Sequence, residues 1–217
     1  MICVAISDKN LNKCLSVLDK VEMAEIRLDL TGFGIEEINK IFSHPTPAIA
    51  TCRPEPRGNE YQLEILTASV NAGARYVDIE IEADLNQQSA IIEVAKKHQC
   101  KVIISYHNFN ETPGLREMYK IVDQCFELGA DIAKIATLSK SNADNARLFS
   151  LYSIEKPMVV LGMGETGKIT RLMAPLLGAE FTFASMDEGI QTAPGQINYS
   201  KMKEMLSSLQ KDLLLNQ

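Results

Sequence analysis

Lys134 is the residue of this sequence with the clearest chemical potential. It lies within an otherwise apolar segment of strand type, DIAKIA at 131–136. A lysine in such a segment loses hydration, and neighbouring arginine side chains disfavour its charge further, so its pKa should fall. A neutral amine attacks a carbonyl and forms an imine. The alternative is a structural lysine that is paired with Asp78 or Glu80.

His107 is the second residue whose position suggests chemistry. It ends the segment KVIISYH at 101–107 and shares a strand face with Ile103 and Ser105. An imidazole titrates near neutral pH, so it can remove and return a proton next to an imine. The alternative is a core histidine with satisfied hydrogen bonds. Together, Lys134 and His107 predict Schiff-base chemistry with an acid–base partner.

Charged side chains recur where the strand period turns them toward the inside of a sheet. In EIRLDL at 25–30, the charged Glu25, Arg27 and Asp29 share one face. Burial of charge is unfavourable unless the charge is paired, and functional sites are where it is tolerated. A self-neutralising structural cluster is the alternative. The side chains that we expect at one common site are Glu25, Arg27, Arg53, Glu80, His107 and Lys134.

The elements that must position these residues alternate between strand and helix along the chain. Strands that are joined through helices must be parallel. Several strands alternate charged with apolar residues, which favours a closed barrel over the alternative, an open doubly wound sheet. We predict an α/β protein, a (β/α)8 TIM barrel, in a single domain over residues 1–217. The eight strands are predicted at 2–6, 24–29, 47–52, 76–81, 101–106, 131–136, 157–161 and 179–184.

A glycine-rich segment follows the seventh predicted strand. GMGETG at 162–167 fits the dinucleotide fingerprint G-x-G-x-x-G, but a dinucleotide fold cannot follow at the seventh unit. Barrels commonly bind an anion at the loops after strands 7 and 8, where Arg171 could hold a substrate carboxylate through two hydrogen bonds. After the eighth strand, TAPGQ at 192–196 offers the hydroxyl of Thr192 and the amide of Gln196 to a ligand.

The composition excludes several classes of function. The 217 residues carry a net charge of −6 with a pI of about 5.2, which argues against a nucleic-acid partner. No apolar run reaches the roughly 18 residues of a membrane helix, and MICVAISDKN at the start lacks the features of a secretory signal. Five cysteines without C-x-x-C spacing predict reduced thiols, and three dispersed histidines predict no metal site. We therefore expect a cytoplasmic protein without a membrane partner.

Taken in order, these segments resemble type I 3-dehydroquinate dehydratase, the Schiff-base dehydroquinase of the shikimate pathway. The resemblance extends from about residue 2 to residue 198, and the 27-residue step from His107 to Lys134 is similar to the family's. Each segment is weakly specific alone, whereas seven in order are strongly specific. The segments are EIRLDL at 25–30, TCRP at 51–54, YVDIE at 76–80, SYHNF at 105–109, ADIAKIA at 130–136, MGETGKITRL at 163–172 and APGQI at 193–197.

The resemblance implies a role for each candidate residue. Lys134 would form the imine with the ring ketone of 3-dehydroquinate. His107 would move the protons in a syn loss of water that gives 3-dehydroshikimate. No cofactor or metal is implied, because the imine is the electron sink, and family members are commonly homodimers. The residues implied to bind the substrate are Arg171, Gln196 and Thr192 near the carboxylate and Glu25, Arg27 and Arg53 at the ring hydroxyls, with Met163, Phe109 and Phe183 around the ring.

Four positions depart from the family pattern. Arg57 stands where a glutamate normally assists the histidine. We expect Arg57 to close over the mouth, and either to lower the pKa of His107 or to leave the acid–base role dependent on Glu80. The other departures are Asn108 for an aspartate and Ala5 and Thr192 for two serines. Two other functions stay open: a Schiff-base aldolase with a phosphate cradle after strand 7, and a related binding protein that has lost turnover.

Overall fold

Eight strands and nine α-helices alternate along the part of the chain that the structure describes. It is a computed structural model of residues 1–187 and 195–215, including the side chains of all of these except residues 210 and 212–215. The strands are β1 (Ile2–Ile6), β2 (Met23–Arg27), β3 (Ala48–Thr51), β4 (Tyr76–Glu80), β5 (Lys101–Asn108), β6 (Ile132–Leu138), β7 (Met158–Met163) and β8 (Thr182–Ser185). The helices are α1 (Leu11–Leu18), α2 (Leu28–Thr31), α3 (Ile35–Phe42), α4 (Asn59–Asn71), α5 (Leu85–Lys97), α6 (Leu115–Glu127), α7 (Asn142–Ser150), α8 (Gly164–Met173) and α9 (Tyr199–Leu215). None of these helices is long and apolar enough to cross a membrane.

The strands form one parallel sheet that nearly closes into a barrel. Their hydrogen-bonded order is β7-β6-β5-β4-β3-β2-β1-β8, so β1 to β7 follow one another in chain order and β8 returns beside β1. Across the remaining seam, the backbone N–H of Glu180 donates to the carbonyl of Met158 at 3.0 Å. A doubly wound sheet would reverse its strand order, and this sheet does not. The predicted (β/α)8 barrel is therefore confirmed.

The register of the parallel strands sets the height of every side chain inside the barrel. Thr51 of β3 pairs with Asp78 of β4, and Ser105 of β5 pairs with Lys134 of β6. Because Glu80 of β4 pairs with Ser105, the polar residues Glu80, Ser105 and Lys134 of three neighbouring strands lie side by side. Apolar side chains fill much of the remaining interior, namely Cys3, Met23, Ile49, Tyr76, Ile103, Ile132, Val159, Leu161, Phe181 and Phe183.

The second strand is shorter than its alternating pattern predicts. β2 ends at Arg27, and α2 begins at once and ends at Thr31. Gly32 caps this helix with a φ of +68°, which suits a glycine. The expectation that Asp29 continues the strand face is therefore wrong. From its place in the helical turn, the Asp29 carboxylate accepts two hydrogen bonds from the Arg27 guanidinium, at 3.1 and 2.7 Å. The predicted charge pairing is kept, although the backbone conformation differs.

The glycine-rich segment serves close packing between β7 and α8. A Cβ on Gly167 would lie 2.5 Å from the carbonyl oxygen of Gly162 and 2.8 Å from its Cα. Real Cβ atoms do not approach backbone so closely, hence only glycine lets the helix lie this near the strand. This contact accounts for the spacing of Gly162 and Gly167 without a dinucleotide.

We expect Gly167→Ala to lower the free energy of unfolding by about 2 kcal/mol or more, because the added methyl group overpacks the contact with β7. Gly114→Ala is the control, since its φ is −62° and a Cβ there meets nothing within 4 Å. Urea denaturation of both variants measures the difference. Equal stability of Gly167→Ala and the parent chain would contradict the packing role.

Candidate active site

Nearly all side chains that were predicted to share a site line one cavity at the carboxyl ends of the strands. Its volume is about 370 Å³. A larger depression of about 800 Å³ near α8 and α9 shares only Gln196 with it and is lined by no histidine. We place the candidate active site in the smaller cavity, because that is where the acid–base groups converge. Its predicted members are Glu25, Arg27, Arg53, Glu80, His107, Lys134, Arg171 and Gln196.

Lys134 projects from β6 into this cavity and is 5% exposed. Its Nζ donates to Asp78 Oδ2 at 2.9 Å and to Glu25 Oε1 at 3.4 Å, and it lies 4.5 Å from the centre of the Phe183 ring. Burial lowers the pKa of Lys134, but the charges of Asp78 and Glu25 outweigh burial and raise the pKa above its ordinary value. The predicted fall of this pKa is wrong, because two carboxylates contact the amine.

Asp78 is the centre of the ion cluster and is fully buried. Besides Lys134, it contacts Arg53 Nη1 at 2.9 Å, and its Oδ1 accepts a hydrogen bond from Ser105 Oγ at 2.7 Å. Burial would raise the pKa of Asp78, but Arg53 and Lys134 together hold it far below its ordinary value. Asp78 is therefore a permanent negative charge that fixes both cations.

Glu25 approaches the same lysine from the opposite side of the barrel. Its Oε1 accepts a hydrogen bond from Thr51 Oγ1 at 2.9 Å, and only 5% of the residue is exposed. Burial raises the pKa of Glu25, while Lys134 and Arg27 lower it by more, so the carboxyl is ionised near neutral pH. Two anions thus hold one ammonium group in place.

Among the described residues, His107 is the one imidazole of the cavity, and the ordinary pKa of this side chain is nearer to neutral pH than those of the other titratable groups there. Its Nδ1 is 3.6 Å from Glu80 Oε1, slightly beyond hydrogen-bonding distance, and the Phe109 ring stacks on the imidazole at 6.1 Å between centres. Burial lowers the pKa of His107, Glu80 opposes this, and Lys134 and Arg53 add to the lowering. The imidazole is therefore neutral near pH 7 and can accept a proton.

Arg171 is a buried cation that no carboxylate balances within the described residues. It projects from α8, is 2% exposed, and forms no ion pair among the salt bridges of residues 1–187 and 195–215. Its Nε has no hydrogen-bond partner there, and burial lowers the pKa of Arg171 to about 10. An unbalanced charge of this kind favours an anionic ligand, so the cavity is suited to bind a carboxylate.

Arg57 does not take the position that the sequence analysis expected. It is exposed, its Nη1 donates to Tyr61 Oη at 2.5 Å, and its guanidinium lies 4.7 Å from the Tyr61 ring centre. Arg57 is not among the cavity residues, and the main influences on the pKa of His107 are burial, Glu80, Lys134, Arg53 and Asp78. The loop instead turns Glu55 toward the cavity. The expectation that Arg57 closes over the mouth is therefore wrong, because Tyr61 holds it outside, while the dependence of the acid–base role on Glu80 stays a prediction.

The remaining predicted residues divide between the cavity wall and the undescribed part of the chain. Met163, Phe109 and Phe183 line the cavity beside Gln196. Thr192 lies outside the described residues. Asn108 faces the loop after β5, where its Oδ1 accepts hydrogen bonds from the backbone N–H groups of Asn110 and Glu111 at 2.9 and 3.0 Å.

Three contributors were not assigned a role from the sequence. Thr51 and Ser105 orient the buried carboxylates, and their positions on inward strand faces were the available signal. Glu55 lines the cavity from a loop, where no periodicity indicates direction. The site thus depends on two hydroxyl groups that orient its carboxylates as well as on the charged residues that line it.

Comparison with known proteins gives a consistent result. The sequence model described as type I 3-dehydroquinase matches residues 2–213. The 3-dehydroquinate dehydratase of Methanococcus vannielii is 34% identical over 225 residues, which cover 97% of this chain and 100% of the relative. That of Coxiella burnetii is 37% identical over 229 residues, with 97% and 94% covered.

A solved structure agrees with these relatives. The type I 3-dehydroquinate dehydratase of Clostridium difficile with covalently modified comenic acid superposes with a TM-score of 0.85 at 26% identity, covering 97% of this chain and 92% of that one. The match of the family model spans nearly the whole barrel, including every cavity residue named above. The chain therefore belongs to the type I 3-dehydroquinase family.

Proposed function

We propose that this chain converts 3-dehydroquinate to 3-dehydroshikimate through an imine on Lys134. The observation that carries the proposal is the joint placement of a buried lysine, a neutral histidine and an unbalanced arginine in one cavity. The substrate offers a ketone, a hydroxyl that can leave and a carboxylate. Each of these groups then has a complementary side chain.

The first step is imine formation on Lys134. The resting ammonium must lose a proton before it attacks, because only the neutral amine is nucleophilic. His107 lines the same cavity and is neutral, so it is suited to accept that proton. The amine adds to the ketone carbon, a proton returns to the oxygen, and water leaves as the carbon–nitrogen double bond forms.

The second step is the loss of the substrate hydroxyl. The imine withdraws electrons, so His107 can remove a proton from the adjacent carbon and leave an enamine. The enamine electrons then expel the hydroxyl from the next carbon, and the proton held by His107 converts it to water. Hydrolysis of the remaining imine consumes one water and releases both the product and Lys134, so the net change is the loss of one water.

The other cavity residues bind and orient the substrate. Arg171 supplies the charge for the carboxylate, with Gln196 lining the same wall and Thr192 assigned beside them. Glu25, Arg27 and Arg53 are assigned to the ring hydroxyls. Glu25 and Arg53 also belong to the Lys134 cluster, whereas Arg27 pairs with Asp29. The rings of Phe109 and Phe183 and the side chain of Met163 provide apolar contact.

Three further properties remain part of the proposal. We infer that the chain needs no cofactor or metal, that it is cytoplasmic and that it assembles as a homodimer. The described residues contain no group of three metal-binding side chains. Unchanged turnover after treatment with a chelator, and a mass of twice 24.0 kDa in solution, are the expected results.

The two alternative functions have less support. An aldolase would need a phosphate site after β7, but Lys168 there pairs with Glu165 at 2.6 Å and does not line the cavity. A binding protein without turnover would need neither Lys134 nor His107 in contact with a ligand. Addition of 3-dehydroquinate separates the alternatives, because dehydration produces the ultraviolet absorbance of a conjugated enone.

Borohydride added with substrate or product should inactivate the enzyme, because it reduces the imine to a stable amine. Intact mass should rise by one ligand, and peptide mapping should place the ligand on Lys134. Lys134→Ala should abolish the adduct, whereas His107→Ala should retain part of it and lose nearly all turnover. Modification of another lysine, such as Lys168, would rule out this mechanism.

Arg171→Lys should raise KM and cost about 1.5–3 kcal/mol of transition-state stabilisation, because lysine keeps the charge but loses the planar two-bond fit. Arg116→Lys on the exposed face of α6 is the matched control and should be silent. Steady-state kinetics measure both variants. Unchanged kinetics of Arg171→Lys would remove Arg171 from the site.

The acidic limb of kcat/KM against pH should report His107 and have its midpoint below about 6.5, the ordinary pKa of histidine. Burial and the two neighbouring cations lower this pKa, so the base stays neutral to a lower pH. Glu80→Gln should move the limb further down, because Glu80 raises the pKa. Glu64→Gln is the control, because Glu64 lies on the exposed face of α4. A limb at or above the ordinary value would contradict the assignment.

A further inference from the structure

Three glutamine side chains are buried where α4 and α5 meet the ends of β3 and β4. Gln62, Gln87 and Gln88 are 1%, 7% and 2% exposed. Gln62 Nε2 donates to the Cys52 carbonyl at 2.5 Å, directly before Arg53. These helices therefore reach the strand ends through side-chain amides as well as through apolar contacts.

Gln88 holds the end of β4 at two points. Its Nε2 donates to the carbonyl of Glu80 at 2.8 Å and to that of Ile81 at 3.2 Å. The N–H of Ile81 donates to the carbonyl of Ser105 at 2.9 Å, so the backbone here is tied both to β5 and to α5. The Glu80 carboxylate projects from this held stretch of backbone and lies beside His107.

The contacts of the Glu80 carboxylate are sensitive to small movements of the end of β4. Its Oε1 is 3.6 Å from His107 Nδ1 and 3.5 Å from Arg53 Nε, so a small shift of the strand end breaks or shortens both contacts. Charge interactions at this range change steeply with distance in a partly buried site. The backbone position of Glu80 consequently decides how strongly it acts on the histidine.

Burial of the Gln88 amide is energetically unfavourable in one respect. Its Oε1 is buried without a hydrogen-bond partner in the described part of the chain. An unpaired buried carbonyl is unfavourable, and an unbranched apolar side chain would avoid it. The contribution of Gln88 therefore lies in its Nε2 donor and in the two carbonyls that it fixes.

We propose that Gln88 is a positioning residue that acts through Glu80 to orient His107 for proton transfer. This inference rests on the proposed function. Four charged groups face His107, and Gln88 has direct contact with the backbone of only one of their residues. These groups are Glu80 and Asp78 from β4, Arg53 from the end of β3 and Lys134 from β6.

Gln87 offers a matched control on the same helix. Its Nε2 also donates twice, to the Asn59 carbonyl at 2.6 Å and to Gln62 Oε1 at 2.9 Å, and its Oε1 is likewise buried without a partner. Gln87→Met and Gln88→Met therefore remove the same number of donated bonds at similar burial. Only Gln88→Met removes a hydrogen bond to the backbone carbonyl of Glu80.

The test compares kcat, the pH profile of kcat/KM and the melting temperature of the two variants. Both variants should lose similar stability. Gln88→Met should lower kcat by roughly tenfold through misplacement of the proton-transfer groups, and should move the acidic limb to lower pH, as Glu80→Gln does. Gln87→Met should change neither. Equal profiles for the two variants would reduce Gln88 to a structural role and overturn the proposal.

Two further measurements keep the result decisive. In the Glu80→Gln background, Gln88→Met should have no additional effect on the limb, because both act through one carboxylate. An additive shift would overturn the proposal.

If Gln88→Met does not fold, Gln88→Asn takes its place, since it keeps the amide but withdraws it from the carbonyls. Borohydride trapping on Lys134 should persist in the Gln87, Gln88 and Glu80 variants. If the parent chain itself gives no trapping, it is the proposed function that fails, and not the role of Gln88.

Discussion

The ion cluster around Lys134 is the constraint on which the rest of the site depends. Two anions, Asp78 and Glu25, hold the ammonium group, and Asp78 also holds Arg53. Buried charges of this kind stabilise one another only as a set, because removal of any one leaves its partner uncompensated. The cluster therefore holds the Lys134 amine in one position, and the same charges raise its pKa and keep it protonated.

The barrel is the reason that such a cluster can form. Parallel pairing brings alternate residues of successive strands to one interior, and the register places Thr51 beside Asp78 and Glu80 beside Ser105 and Lys134. Apolar residues fill much of that interior, while polar residues face the open end at the carboxyl ends of the strands. Helices α4 and α5 add to this order, since their buried amides reach the carbonyls of Cys52 and Glu80.

Charge is distributed unevenly around the cavity, and that asymmetry suits a reaction on an anionic ketone. Lys134 forms ion pairs with two carboxylates, whereas Arg171 on α8 forms none with the described residues. A substrate carboxylate can therefore bind without displacing an internal pair. His107 is kept neutral by burial and by nearby cations, so the site holds a proton acceptor near pH 7 beside a protonated amine.

The sequence by itself determined the barrel and most of the residues that line its mouth. Strand periodicity sends alternate side chains inward whatever their partners are, so Glu25, His107 and Lys134 were expected at one cavity, and they line it. The sign of the pKa shift on Lys134 was decided only by tertiary structure, because the two carboxylates that hold it are 56 and 109 residues away in the chain. Loops have no such period, and Arg57 accordingly lies on Tyr61 outside the cavity, where only the folded structure could place it.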